Sequence, residues 1–92
     1  MNENEYLQQC DALFAQIENL LDETGADFDI NGGVIEVTLE NGGVLIINRQ
    51  PAAKEVWLAA PNGGHHFRWD DNAWRHTRQD GELMAMLKSL LA

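Results

Sequence analysis

The hydrophobic period of this chain changes near Gly25 and changes back after Asp80, and that order constrains the fold more than any other feature. Before Gly25, Tyr6, Cys10, Leu13, Phe14, Ile17, Leu20 and Leu21 recur at helical spacing and form one apolar face. Asn2, with Glu5 three residues later, reads as a helix start, and Gly25 as a stop. Beyond Gly25 the period falls to two. Phe28 and Ile30 alternate with Asp27 and Asp29, then Ile35, Val37 and Leu39 with Glu36, Thr38 and Glu40. Asn31-Gly32-Gly33 separates these strands, and Asn41-Gly42 is a hairpin signal leading into a third strand, Val44 to Asn48.

Gln50-Pro51 ends the third strand, and Glu55 to Ala59 reads as a fourth. His65 to Trp69 and Ala73 to His76 are two further short strands, with Pro61-Asn62-Gly63-Gly64 and Asp70-Asp71-Asn72 as turns. The chain closes on a second helix with Asp80 as its expected N-cap and Leu83, Met84, Leu87, Leu90 and Leu91 as its apolar stripe. Strands run together and helices flank them, which indicates α+β rather than alternating βαβ. The expected fold is a two-layer sandwich: two terminal helices on one face of a five- to six-stranded antiparallel sheet, the other face open to water. At 92 residues the whole of 1–92 reads as a single domain with one helix–sheet core.

Charge is distributed unevenly over this pattern. Residues 1–48 hold ten carboxylates and no Lys or Arg, whereas 49–92 hold five acids and all six bases. The net charge of −9 therefore belongs to the N-terminal half, and points to a surface that attracts cations or a basic partner. It argues against direct nucleic-acid binding, which needs Lys and Arg on phosphates. No apolar run approaches the ~20 residues of a membrane span, and Met-Asn-Glu-Asn-Glu lacks the basic start of a signal peptide. The single Cys10 forms no internal disulfide, which fits a reducing, cytoplasmic setting.

The candidate chemistry lies first in these acids. At ~100° per residue, Asp11, Glu18 and Asp22 fall in a narrow sector flanking the apolar face of the first helix. Asp27, Asp29 and Glu36 are expected to project outward from the first two strands and extend that sector into a ridge. An oxygen-only donor set suits hard cations, and the absence of His before residue 65 argues against a zinc-type site there. A plain solubility surface is the competing reading. Asp27 to Gly32 also imitates the opening of an EF-hand loop, but the twelfth position is Thr38 rather than Glu, and a strand follows.

A second constellation lies on the sheet. With Val56 and Leu58 facing the helices, Trp57 points to the open face, where a large aromatic is an interface anchor. Asn48, His66 and Arg68 are expected to share that face. His65, His66 and His76 lack metal-ligand spacing with Cys or Glu and read as strand and turn residues. Cys10 reads as a packed thiol, the glycine pairs as turns, and no nucleophile–base pair argues for an enzyme.

Taken together, Ile30-Asn31-Gly32-Gly33-Val34, Glu40-Asn41-Gly42, Ile46-Ile47-Asn48-Arg49-Gln50, Val56-Trp57-Leu58-Ala59 and Gly63-Gly64-His65-His66-Phe67 resemble bacterial frataxin, the CyaY family. The resemblance is collinear over nearly the whole chain. It implies a role in iron–sulfur cluster assembly, with iron, Fe2+ or Fe3+, held weakly and reversibly by carboxylates of the first helix and first strand. It also implies a monomer that contacts the cysteine desulfurase and the iron–sulfur scaffold protein, regulating the desulfurase or donating iron. Carried over by position, the ridge falls on Glu18, Asp22, Glu23, Asp27 and Asp29, with Asp11 and Glu36 beside it. Partner contacts fall on Glu18, Asp22, Glu23, Asn48, Gln50 and Trp57.

The chain departs from that pattern in places. Leu7 stands where some bacterial members have His, and Asn19, Thr24 and Ala26 interrupt the acidic run. Reduced iron capacity is the expectation. The sequence also stops at Ala92, soon after the second helix, which leads one to expect an uncovered helix groove and modest stability. Ferroxidase or iron-storage activity at the same carboxylates is the alternative, ranked lower because it needs a preorganised dinuclear or His-containing site.

Overall fold

A computed structural model describes residues 1–92. Its elements are α1 (Glu3–Thr24), β1 (Asp27–Asn31), β2 (Val34–Thr38), β3 (Val44–Gln50), β4 (Glu55–Ala60), β5 (Gly63–Asp70), β6 (Ala73–His76) and α2 (Leu83–Leu91). The six strands form one antiparallel meander in sequence order. The expected α+β sandwich is therefore found, with six strands.

The local signals act as their chemistry requires at the first helix. The Asn2 side chain accepts the Glu5 backbone N–H at 2.8 Å, closing the N-terminus of α1. Gly25 ends it in the left-handed region at φ 71°, its N–H returned to the Asp22 and Leu21 carbonyls. The Asp27-to-Gly32 segment is a strand and a hairpin turn rather than a calcium loop. Thr38, at its twelfth position, is the last residue of β2.

The second helix departs from expectation. Its N-cap is Glu82, not Asp80, and no side chain caps it. The reason lies in the preceding segment, which pairs back onto the sheet. The Gly81 carbonyl accepts the His76 N–H at 2.8 Å, and Arg75 bridges to Glu82. Asp80 thus lies in the bend of residues 77–80 that this pairing closes, and the helix starts two residues later than the cap chemistry suggested.

The core lies between the helices and one sheet face. Tyr6, Cys10, Leu13, Phe14, Ile17 and Leu21 of α1 meet Ile35, Val37, Leu45, Ile47, Val56, Leu58 and Phe67, with Trp74, Leu83 and Leu87 closing the other side. Removing this much apolar surface from water is the main stabilising term. Tyr6 adds direction: its hydroxyl donates to the Glu55 backbone carbonyl at 2.7 Å, tying the start of α1 to β4. Burial pushes the Tyr6 hydroxyl well above its ordinary pKa and raises that of the Cys10 thiol, so both are packed neutral groups. At the far end, Thr24 to Asp27, Thr38 to Asn41 and Leu90 to Ala92 border a groove of about 390 Å3.

Candidate functional site: an acidic edge and an aromatic patch on the open face

The acidic residues are laid along one edge of the molecule. Glu18, Asp22 and Glu23 are exposed on α1, just before the chain turns through Gly25 into the edge strand β1. Asp27 and Asp29 are exposed on β1, and register sets Asp29 directly opposite Glu36 of β2. These two carboxylates sit on the open face beside a shallow concavity of about 570 Å3 that also takes in Ile30, Asn31 and Val34. Like charges placed directly across a strand pair are destabilising.

Asp11 behaves differently from the rest. Its carboxylate lies 2.9 Å from the Arg49 guanidinium, which reaches from β3 under α1 and stacks 4.3 Å from the Phe14 ring centroid. Along the edge as a whole, no three His, Cys, Asp or Glu side chains converge on one point. The carboxylates form a string of exposed single ligands, not a closed cage.

The open face carries the second group. Val56 and Leu58 are buried under the helices, and Trp57 lies on the opposite face, half-buried. Register aligns Asn48, Trp57 and His66 across β3, β4 and β5, and Gln50, Glu55 and Arg68 in the next row. The Gln50 amide donates to Asn48 Oδ1 at 2.7 Å. The Trp57 indole stacks flat on the His66 ring, with centroids 4.1 Å apart and planes within 7°. The residues expected to share this face do so, and Trp57 and His66 are in direct contact.

Glu55 was not legible as part of this patch. It is 7% exposed although it lies on the water-facing side of the sheet. One carboxylate oxygen accepts the Trp57 indole N–H at 2.8 Å, and the other accepts from Arg68 at 2.6 Å. His66 Nδ1 stands 3.7 Å from the first oxygen. Burial alone would raise the Glu55 pKa. The Trp57 and Arg68 hydrogen bonds and the nearby positive charge outweigh it and hold the carboxyl below its ordinary value. Glu55 is therefore an ionised anchor that fixes the plane of the indole. The available signal was the i, i+2 spacing of Glu55 and Trp57 on one strand, which puts both on the same face.

A family model described as the frataxin-like domain matches residues 1–92. The chain is 44% identical over 89 residues to the iron-sulfur cluster assembly protein CyaY of Paraburkholderia phymatum, covering 95% of this chain and 85% of that protein. This chain belongs to the frataxin-like family. A CyaY protein of Burkholderia mallei is likewise 44% identical, over 92 residues, with 95% and 85% of the two chains covered. Among solved frataxin structures, that from Psychromonas ingrahamii superposes with a TM-score of 0.88 at 36% identity, covering 97% of this chain and 87% of that one. Trimeric frataxin from the yeast Saccharomyces cerevisiae, complexed with ferrous iron, superposes with a TM-score of 0.70 at 28% identity, over 97% and 81%. The frataxin-like fold thus accounts for the whole meander and both helices.

Proposed function

We propose that this frataxin-like chain is an iron-binding protein of iron–sulfur cluster assembly that regulates the cysteine desulfurase. In this reading iron binds weakly and reversibly at Glu18, Asp22, Glu23, Asp27, Asp29 and Glu36, with Asp11 at the end of the ridge. The observation that carries it is the string of exposed carboxylates that do not converge. Such ligands leave most of a hard cation's shell to water, so binding is loose and exchange is fast. Loose binding suits a sensor or transient donor of Fe2+ or Fe3+. The same dispersion offers no bridged pair of metal positions, which disfavours the ferroxidase alternative.

The edge also docks a basic surface of the desulfurase through Glu18, Asp22 and Glu23, while Asn48, Gln50 and Trp57 meet the assembly partners, the scaffold protein among them. Iron and partner then compete for, or share, the same carboxylates, which is how iron would tune the desulfurase. In this reading the protein is a cytoplasmic monomer. No helix is long and apolar enough to cross a membrane.

The test is charge reversal. Asp22→Lys with Glu23→Lys should weaken desulfurase binding by about tenfold or more at low salt, since each 1.4 kcal/mol lost is tenfold. The loss should shrink as salt rises, with the circular dichroism spectrum unchanged. Unchanged affinity would remove the edge from the docking surface.

A further inference from the structure

One position of β5 carries no side chain although its backbone does not ask for glycine. Gly63 takes φ 128°, which favours glycine, but Gly64 lies outside the left-handed region, and a Cβ there would meet nothing within 4 Å. Gly64 and His66 are two residues apart on β5 and share the open face. The Thr77 N–H donates to the His66 carbonyl at 2.9 Å, so the β5–β6 ladder runs one residue beyond β6 and sets Thr77 beside His66. At this corner lies a hollow of about 90 Å3, lined by Gly64, His66, His76, Thr77 and Arg78.

In a chain of net charge −9, no carboxylate lines this hollow. Arg78 enters no salt bridge; the cations that do are Arg49, His66, Arg68 and Arg75. Glu55 stands 3.7 Å from His66 Nδ1, too far to hold a proton there, so His66 Nε2 can carry it and donate. His76 offers no donor of its own, because its Nε2 is 3.0 Å from His65 Nδ1 and its Nδ1 accepts the Arg78 backbone N–H at 3.1 Å. Burial, and then His65, His66 and Arg78, hold the His76 pKa below its ordinary value, so the local field is one that a bound anion would offset.

We infer that this hollow binds a single phosphate group, as inorganic phosphate or a small phosphomonoester, through His66 Nε2, the Thr77 hydroxyl and the Arg78 guanidinium. Imidazole, hydroxyl and guanidinium reach it from three residues, and a tetrahedral oxyanion has an oxygen for each. The guanidinium fork is the side chain best matched to phosphate. The hollow has room for a few waters, which one such group replaces. Extended polyanions are excluded, because the net charge of −9 repels a nucleic acid or an anionic membrane, and one small anion meets only the local field. Thr77 and Arg78 are exposed, so the affinity is modest and falls with salt. His66 is stacked on Trp57, so occupancy is felt at the aromatic patch.

The experiment titrates the metal-free full chain with sodium phosphate and, in parallel, with glycerol 3-phosphate. Amide and indole NMR follow each titration against sodium chloride at matched ionic strength. The expected shifts saturate in the millimolar range at residues 64–66 and 76–78 and at the Trp57 indole, while β1 is unmoved. A response to both compounds makes the terminal phosphate group the ligand, and a response to one alone names that one. Arg78→Ala should weaken binding by about threefold or more. Gly64→Val fills the hollow at an unstrained strand position and should abolish binding. Arg75→Ala removes a cation committed to the Asp70 and Asp71 carbonyls and should leave the affinity unchanged. Shifts no larger than chloride gives, full affinity in Gly64→Val, or equal losses in the Arg75 and Arg78 variants would overturn the assignment. The wild-type titration decides even if a variant folds poorly.

Discussion

The Arg49 guanidinium lies 2.9 Å from the Asp11 carboxylate and 4.3 Å from the Phe14 ring centroid, so the first cation in the sequence neutralises the first acid of the ridge. Arg49 is the last of the helix-side residues on β3, and its stem runs against Gly33. One side chain therefore pins α1 to the sheet by packing and by charge. Asp11 is the ridge residue whose loss should register in stability as well as in iron binding.

Replacing Asp11 with Asn is expected to lower stability by about 0.5–1 kcal/mol, as for a well-placed but largely exposed ion pair. Arg49→Ala should cost more, roughly 2 kcal/mol, because the stem and its stacking on Phe14 are lost too. Urea denaturation at low and high salt checks both. The Asp11 effect should fade with salt, and the Arg49 effect should persist in large part.

Tyr6→Phe removes the hydroxyl that reaches the Glu55 carbonyl. The expected loss is about 1–2 kcal/mol, since a buried acceptor is left without that donor. A stability unchanged within error would show that the carbonyl is satisfied by the sheet alone.

Glu55→Ala should release the Trp57 indole from its stack on His66. Near-ultraviolet circular dichroism and Trp57 ring NMR signals report this directly. Partner affinity should fall with the same substitution if a flat, fixed indole is what the partner meets. Glu55→Gln keeps one acceptor for the indole N–H and should preserve the stack in part, while weakening the hold on Arg68.

Acid should act in two steps. His76 and Glu55 both have folded-state pKa values below their ordinary ones, His76 through burial and the neighbouring His65, His66 and Arg78, Glu55 because hydrogen bonds and charge outweigh burial. In each case the unfolded chain binds more protons, so stability is fully present above the ordinary pKa and falls as pH drops. The first loss begins below 6.5 and the second below 4.5. Denaturation curves at pH 7.5, 5.5 and 4 check this, and His76→Asn should abolish the first step only.

Local patterns made much of the fold legible. The change of period at Gly25, the Asn2 and Gly25 caps and the alternation in β2 and β4 depend on neighbours a few residues away, and the structure follows them. Asp80 misled because its cap competes with backbone pairing between Gly81 and His76, which only the folded sheet creates. The acidic edge was legible as composition and face, but whether its carboxylates converge depends on how α1 meets β1. The Arg49–Asp11 pair and the His65–His76 contact were not legible. Each joins residues from separate elements, and their meeting depends on helix docking in one case and strand register in the other.

The proposed function stands or falls with loose iron binding along the acidic edge. Anaerobic Fe2+ titration followed by backbone amide NMR tests it most directly. Loose binding there should give shifts or broadening confined to residues 11–40, in fast exchange and reversed by chelator. Unchanged signals there at millimolar iron would contradict it and leave the edge as a protein-docking surface alone.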